Sequence, residues 1–238
     1  MEMKITLPDF KKTIDKMDKQ VLFANRLTTN KLMKDIKVAL VDEMKRVFDN
    51  PVKFTLNSVR LLYAGMKYGG SNERMQIGII YIDDVIKQKD KDKTAPGHYL
   101  WAQVKGGQRA KKPFELGRPY RGGFLVPAHT APRDRHGNIP AKIYQQIKHD
   151  FDARKSGKTN SEKQDQVYIG PTLKNSNRMG VWLRDNKRRK LTPILVWTPK
   201  VKAYKKRFKM NDIGERIIKD KVDKYFAESL DHARRTAR

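Results

Sequence analysis

Apolar residues recur every three or four positions between residues 8 and 47, which is the spacing of an amphipathic helix. The first series begins after Pro8 and consists of Phe10, Ile14, Met17, Val21 and Ala24. The second series consists of Leu32, Ile36, Leu40, Met44 and Val47. Thr28, Thr29 and Asn30, which lie between the two series, are residue types that cap helix N-termini. The pattern therefore predicts two helices, the second of which ends before Pro51.

Aromatic and aliphatic residues dominate residues 54–63 and residues 75–82, and both segments are predicted to be strands. Residues 87–97 are highly charged and close with a Pro-Gly pair, which predicts a loop. A short helix is predicted at residues 98–104, and it stops at Gly106 and Gly107.

The middle of the chain predicts a strand at residues 124–126 and then a loop at residues 127–140. That loop contains three prolines and is too long to be a simple connector. A helix is predicted next, with apolar side chains on one face at Ile143, Ile147 and Phe151. Residues 154–166 are polar and have no aliphatic period, so they are expected to be mobile.

A strand at residues 167–170 and a hairpin follow. The arms of the hairpin are residues 181–183 and 194–197, and its polar tip spans residues 185–190. Four adjacent cations in this tip would each lose their hydration if they were buried, so the tip is expected to project from the fold.

A final long helix is predicted to begin near Asp212, with Glu215 completing a capping box. Its apolar members are Ile213, Ile217, Val222, Phe226 and Leu230. Helices at both ends of the chain would then flank a small, mostly antiparallel sheet, which is an α+β fold. We expect residues 1–238 to form a single domain whose basic loops protrude at residues 87–97, 127–140 and 154–166.

The charge of the chain points to an anionic partner. It has 53 Lys and Arg against 26 Asp and Glu, a formal net charge of +27. Self-repulsion of this size opposes compaction unless a polyanion or an acidic neighbour offsets it. A membrane partner is not expected, because no apolar stretch approaches the roughly 20 residues that span a bilayer. The absence of cysteine excludes disulfides and thiolate chemistry.

Three basic clusters are the predicted contact sites for a DNA backbone or an acidic neighbour. Few acids compensate them, and Glu115 is the single acid of the first cluster. Nothing in them resembles base readout, so we expect non-specific contact with phosphate. The first cluster is Lys105, Arg109, Lys111, Lys112, Arg118 and Arg121; the second is Lys187, Arg188, Arg189 and Lys190; the third is Lys200, Lys202, Lys205, Lys206, Arg207 and Lys209.

The sequence contains few candidates for catalysis. Asp83 and Asp84 at a strand end loosely resemble the carboxylates of a metal-dependent nuclease, but a further acidic ligand has no evident position. Asp134 and His136 are the other conceivable pair, although the surrounding residues favour a turn. We therefore expect no catalytic residue, no metal, no cofactor and no small-molecule substrate.

Short blocks of the chain resemble a family of tailed-phage proteins. Residues 39–57 read ALVDEMKRVFDNPVKFTLN, residues 101–109 contain a basic Gly-Gly-x-Arg element, and residues 124–127 read FLVP. These blocks and the layout of the chain are similar to the minor tail protein Z and tail-completion family. The resemblance implies a virion component, made in the host cytoplasm, that forms a homo-oligomeric ring around the DNA channel beside other connector and tail proteins.

Two other functions are compatible with the sequence. One is a DNA-processing enzyme, a nuclease that would use Asp83 and Asp84. The other is a free, non-specific nucleic-acid-binding protein with no role in an assembly.

Overall fold

The computed structural model describes residues 2–5, 19–65, 77–84, 95–112, 115, 122–155, 167–172, 175–185 and 190–236. Residue contacts divide the chain into two compact units. The first unit comprises Met1–Gly107 with Lys205–Arg238, and the second comprises Gln108–Tyr204. The sequence predicts a single domain, and that remains a prediction. Long helices and two small antiparallel sheets confirm the predicted α+β class.

Helices and strands alternate irregularly along the described parts of the chain. In chain order they are β1 (Glu2–Ile5), α1 (Lys19–Val47), α2 (Lys53–Leu56), β2 (Val59–Leu62), β3 (Gly78–Ile82), α3 (Pro96–Lys105), β4 (Phe124–Pro127), α4 (Ala141–Lys155), β5 (Val167–Thr172), β6 (Asn175–Asp185), β7 (Lys190–Thr198) and α5 (Met210–Arg235).

The first unit contains a three-stranded sheet in the order β1-β3-β2, with both pairs antiparallel. Strand β1 was not predicted, since it is only four residues long and charges flank Met3 within it. The apolar faces of α1, β2, β3, α3 and α5 contribute to one core. Its fully buried side chains include Met33, Ile36, Leu40, Met44, Val59, Ile80, Ile82 and Phe208.

Helices α1 and α5 run antiparallel, and polar contacts fix their alignment. The carboxylate of Asp35 accepts hydrogen bonds from Lys221 Nζ and from the Tyr225 hydroxyl, each at 2.6 Å. Towards the start of α1, Thr28 is buried against α5, and its hydroxyl lies 3.3 Å from the Tyr225 carbonyl oxygen. The pairing of a long α1 with α5 therefore includes a polar seam beside the apolar core.

The predicted break at residues 28–30 is wrong, because α1 is continuous from Lys19 to Val47. The Thr28 hydroxyl donates to the Ala24 carbonyl oxygen at 2.8 Å, a bond that a threonine can form inside a helix. Thr28 and Thr29 are buried packing residues here, so tertiary contact outweighs their preference for caps. The first part of the earlier predicted helix, residues 8–18, lies outside the described residues.

Other predicted boundaries in the first unit also need correction. The segment 54–63 is a helical turn followed by strand β2, because the amides of Thr55 and Leu56 bond back to the Val52 carbonyl oxygen. Helix α3 begins at Pro96, two residues earlier than predicted, since proline suits a first turn. Helix α5 begins at Met210, and its N-cap residue forms no side-chain cap, so the predicted capping box is wrong.

The second unit contains a four-stranded antiparallel sheet in the order β4-β7-β6-β5. The predicted hairpin is confirmed as β6 and β7, whose register ends with Asp185 opposite Lys190. The Pro-rich connection after β4 and helix α4 after Pro140 are also confirmed. Helix α4 extends to Lys155, and the rest of the predicted polar segment, residues 156–166, lies outside the described residues. The core of this unit includes Leu125, Ile147, Val181, Ile194 and Leu195.

The core of the first unit predicts that truncating two different side chains of α1 changes the stability of the protein by very different amounts. Leu40 is fully buried, whereas 61% of Val38 is exposed. Leu40→Ala should lower the free energy of unfolding by about 2–5 kcal/mol, because it removes buried methyl groups and leaves a cavity. Val38→Ala is the matched control and should change it by less than about 0.5 kcal/mol. Urea unfolding followed by tryptophan fluorescence measures both, and equal losses would contradict this core.

Candidate nucleic-acid interface

Helix α3 has one buried face and one exposed face. Leu100, Ala102 and Val104 are buried, while Trp101 and Lys105, one turn apart, are exposed. Trp101 is 49% exposed, and the Lys105 ammonium nitrogen lies 5.5 Å from the centroid of its ring. The helix thus displays an aromatic ring and a cation side by side.

The start and end of α3 are fixed by glycines. The Gly97 amide donates to the Asp83 carbonyl oxygen at 2.8 Å, and a Cβ at this position would lie 2.9 Å from the Asp84 Cβ. Only glycine allows α3 to approach the end of β3 so closely. At the other end, Gly106 has a φ of 78° and stops the helix as predicted.

A second basic segment lies beside the last turn of α3. The amides of Arg207 and Phe208 both donate to the Gln103 carbonyl oxygen, at 2.9 and 3.1 Å. The Phe208 side chain is fully buried in the core of the first unit, which anchors the segment. Lys205 and Lys206, which precede it, are exposed, as is the side chain of Arg207.

These hydrogen bonds bring together parts of two clusters that are distant in sequence. Lys105 belongs to the first predicted cluster, and the segment from Lys205 belongs to the third. We call this surface the α3 basic patch; it comprises Trp101, Lys105, Lys205, Lys206 and Arg207. The sequence offered no signal that these residues meet, because the link between them is a backbone hydrogen bond.

Glu115 organises the basic segment of the second unit. Its side chain is fully buried and forms a two-point ion pair with Arg109, at 2.5 and 2.8 Å. The same carboxylate accepts hydrogen bonds from the Lys112 amide at 2.6 Å and the Leu125 amide at 2.8 Å. Four hydrogen bonds therefore tie residues 109–112 to strand β4 through one side chain.

These donors determine the ionisation of Glu115. Burial raises the pKa of the Glu115 carboxyl, but the hydrogen bonds from Arg109 and from the Leu125 and Lys112 amides lower it by more. Its pKa therefore lies below the ordinary value of 4.5. The ion pair also raises the pKa of Arg109, so both partners are held in their charged forms.

The predicted cations next to Glu115 differ in their surroundings. Arg109 is neutralised by Glu115 and also lies over the Phe124 ring, so it acts as an anchor of the segment. Lys111 is exposed, with its ammonium 5.5 Å from the centroid of the same ring. Lys112 Nζ donates to the Tyr144 hydroxyl at 3.0 Å. Within this segment Lys111 is the residue best placed for an anionic partner.

The remaining predicted contact residues fall mostly outside the described part of the chain. Arg118, Arg121, Lys187, Arg188 and Arg189 lie there. Lys190, Lys200, Lys202 and Lys209 are described and exposed, and Lys190 is the first residue of β7.

Two of the three carboxylates considered for catalysis, Asp83 and Asp134, have structural partners. Asp83 pairs with Arg60 at 2.8 Å, while its backbone bonds to Ser58 and Gly97. Asp134 Oδ1 accepts the amides of His136 and Asn138, which confirms the predicted turn. Over the described residues, no group of three or more His, Asp or Glu side chains could hold a metal ion. In the same residues no helix is long and apolar enough to cross a bilayer.

A cleft of about 340 Å³ between α1 and the start of α5 was not predicted from the sequence. Glu43 and Arg46 form a two-point ion pair in it, at 2.7 and 2.8 Å. Lys209 and Arg216 are further cations in its wall, and Asp212 is a second acid. Because acids and bases alternate in this wall, the cleft does not concentrate charge of one sign.

The hydrogen bonds of Glu115 predict a pH-dependent loss of stability in Glu115→Gln. The neutral amide would leave the largely buried Arg109 without its counter-charge, which costs about 3–5 kcal/mol of unfolding free energy at neutral pH. A carboxyl with a lowered pKa stabilises the fold above pH 4.5, and this contribution disappears as the pH falls through the folded pKa. The difference in unfolding free energy between wild type and Glu115→Gln, measured by urea unfolding, should therefore become smaller below pH 4.5.

The control is Glu43→Gln, which breaks a similar two-point pair on the surface of α1, where Arg46 is solvent-exposed. Glu43→Gln should lower the free energy of unfolding by much less than Glu115→Gln does. Equal losses in the two variants, or a Glu115→Gln loss that is constant with pH, would contradict the role given to Glu115.

Comparison with family models, with curated proteins and with solved structures finds no match for this chain. The resemblance to the tail-completion family therefore rests on the sequence blocks and on the layout of the elements.

Proposed function

We propose that the protein is a non-enzymatic structural component that contacts the backbone of nucleic acid without reading its sequence. The observation that supports this most directly is the α3 basic patch, where an exposed basic segment from a distant part of the chain is hydrogen-bonded to the last turn of a helix that exposes Trp101 and Lys105. Exposed cations on one surface suit phosphate groups spaced along a strand.

The placement of the acids supports the same proposal. Glu115, which is buried, and Asp35 and Asp83, which are partly exposed, are paired with Arg109, Lys221 and Arg60 respectively. These carboxylates consequently do not neutralise Lys105, Lys111 or the exposed segment from Lys205. With a net charge of +27 over the whole chain, a polyanion would relieve the repulsion among the surface cations.

The proposed setting is the head–tail connection of a tailed phage, where the protein would form a ring around the DNA channel within the virion. The support is the resemblance of residues 39–57, 101–109 and 124–127 to the tail-completion family. The last two blocks are linked here, because Glu115 joins Arg109 of one block to the Leu125 amide of the other. Other connector and tail proteins would then be its neighbours.

The proposal predicts how nucleic-acid affinity responds to salt. The logarithm of the association constant for duplex DNA should fall linearly with the logarithm of the salt concentration, because each neutralised phosphate releases counterions. Changing Lys205, Lys206 and Arg207 to Gln together should lower the affinity and make this slope shallower, by about one for each phosphate that is no longer neutralised. Fluorescence anisotropy with duplexes of two unrelated sequences measures the slope and should give the same result for both.

A control variant removes the same charge from another surface of the first unit. Lys219, Lys224 and Arg234 are exposed on α5, and changing all three to Gln should leave the slope close to that of the wild type. Binding that is independent of salt, or equal effects of the two triple variants, would count against the basic patch as the contact surface.

The proposed ring in the virion predicts the oligomeric state of the isolated protein. At low salt, repulsion between chains of charge +27 should keep it a monomer or small oligomer, and ring formation should require a neighbouring subunit or a polyanion. Sedimentation velocity, with and without DNA, measures this. A stable closed ring of the pure protein at low salt would mean that contacts between subunits outweigh the charge.

A further inference from the structure

We propose that the exposed face of α3 binds unpaired nucleotides by stacking a base on Trp101. This inference rests on the proposed contact with nucleic acid and adds a preference that charge alone does not give. The stacking face consists of His98, Trp101 and Lys105, which follow one another at helical spacing and are all exposed.

The Trp101 ring is available to a ligand. It belongs to a helix whose buried residues already fill the core, and 49% of its surface remains exposed. The two other tryptophans of the chain are less accessible, since Trp182 is buried and Trp197 is half-buried in the second unit. An indole ring offers a broad, sequence-tolerant surface on which any base can stack.

One cation lies beside the same ring, and a basic segment is hydrogen-bonded to the same helix. Lys105 lies 5.5 Å from the ring centroid, and the Gln103 carbonyl oxygen holds the segment with Lys205, Lys206 and Arg207 beside the same helix turn. A base stacked on Trp101 would bring its flanking phosphates close to these cations. An aromatic ring bordered by cations is the combination that single-strand-binding surfaces use.

Duplex DNA offers no free base to this ring, because each of its bases already stacks on its neighbours inside the helix. Cations on this face can reach the phosphates of either form, but the ring can reach only a base that is unpaired. The face should therefore favour single strands, or the unpaired end of a duplex, over fully paired DNA.

The test compares full-length wild type with Trp101→Ala on a labelled oligothymidine strand and on a duplex of equal length. Trp101→Ala should weaken single-strand binding by about 5- to 100-fold, the effect of losing one stacked base. Duplex binding should change by less than about two-fold, because the cations still reach the phosphates. The salt slope on the single strand should be unchanged, since stacking releases no counterions.

Two further variants test whether any loss of binding is specific to the ring of Trp101. Trp101→Phe keeps a smaller ring and should recover part of the affinity that Trp101→Ala removes. Phe23→Ala removes an exposed aromatic ring from α1, in the same unit, and should leave single-strand binding unchanged. Circular dichroism on each variant verifies the fold.

The outcomes separate the inference from the proposed function. If wild type binds both forms with steep salt dependence and Trp101→Ala binds like wild type, stacking is refuted and the backbone contact stands. If neither form is bound in a salt-dependent way, both fail. Polyglutamate serves as an acidic-protein probe: if wild type binds it as tightly as the single strand, with Trp101→Ala unchanged on both, the face is a docking site for acidic protein and the inference is overturned.

Discussion

The structure depends on how a few carboxylates restrain a large excess of positive charge. Carboxylates are half as numerous as cations, and several of them are used to join elements of the fold. Asp35 aligns α1 with α5, and Glu115 ties the basic segment 109–112 to β4. Each of these acids neutralises one cation locally. Most of the other lysines and arginines in the described part of the chain are exposed, and the proposed function is a consequence of that excess.

The same constraint explains how basic segments without regular structure keep defined positions. A run of cations repels itself, so it stays in place only if backbone or buried side chains hold it. In the first unit the Gln103 carbonyl oxygen and the buried Phe208 hold the segment that contains Lys205 and Lys206. In the second unit Glu115 performs this task through four hydrogen bonds. The exposed side chains of Lys111, Lys205 and Lys206 can thus meet a partner while the backbone beside them is fixed.

Local periodicity was sufficient to predict the class of the fold but not its contacts. The apolar stripe of α5, the hairpin arms and the stop of α3 at Gly106 follow from spacing and residue type. The prediction of a break at Thr28 and Thr29 failed because both side chains are buried by tertiary packing, Thr28 of them against α5, which replaces their usual capping role. The meeting of Lys105 with the segment from Lys205 depends on long-range packing, which spacing does not encode. Glu115 did leave a signal, as the single acid in a basic cluster, although its anchoring role needed the structure.

We propose that nucleic acid contacts the α3 basic patch of the first unit and Lys111 of the second unit, and not every exposed lysine of the protein. Mass-spectrometric footprinting of lysine reactivity on the full-length protein, with and without DNA, tests it residue by residue. We expect DNA to protect Lys105, Lys111, Lys205 and Lys206 and to leave Lys219 and Lys224, which are also exposed on α5, unprotected. Uniform protection of all six lysines, or protection of the α5 pair alone, would contradict the claim.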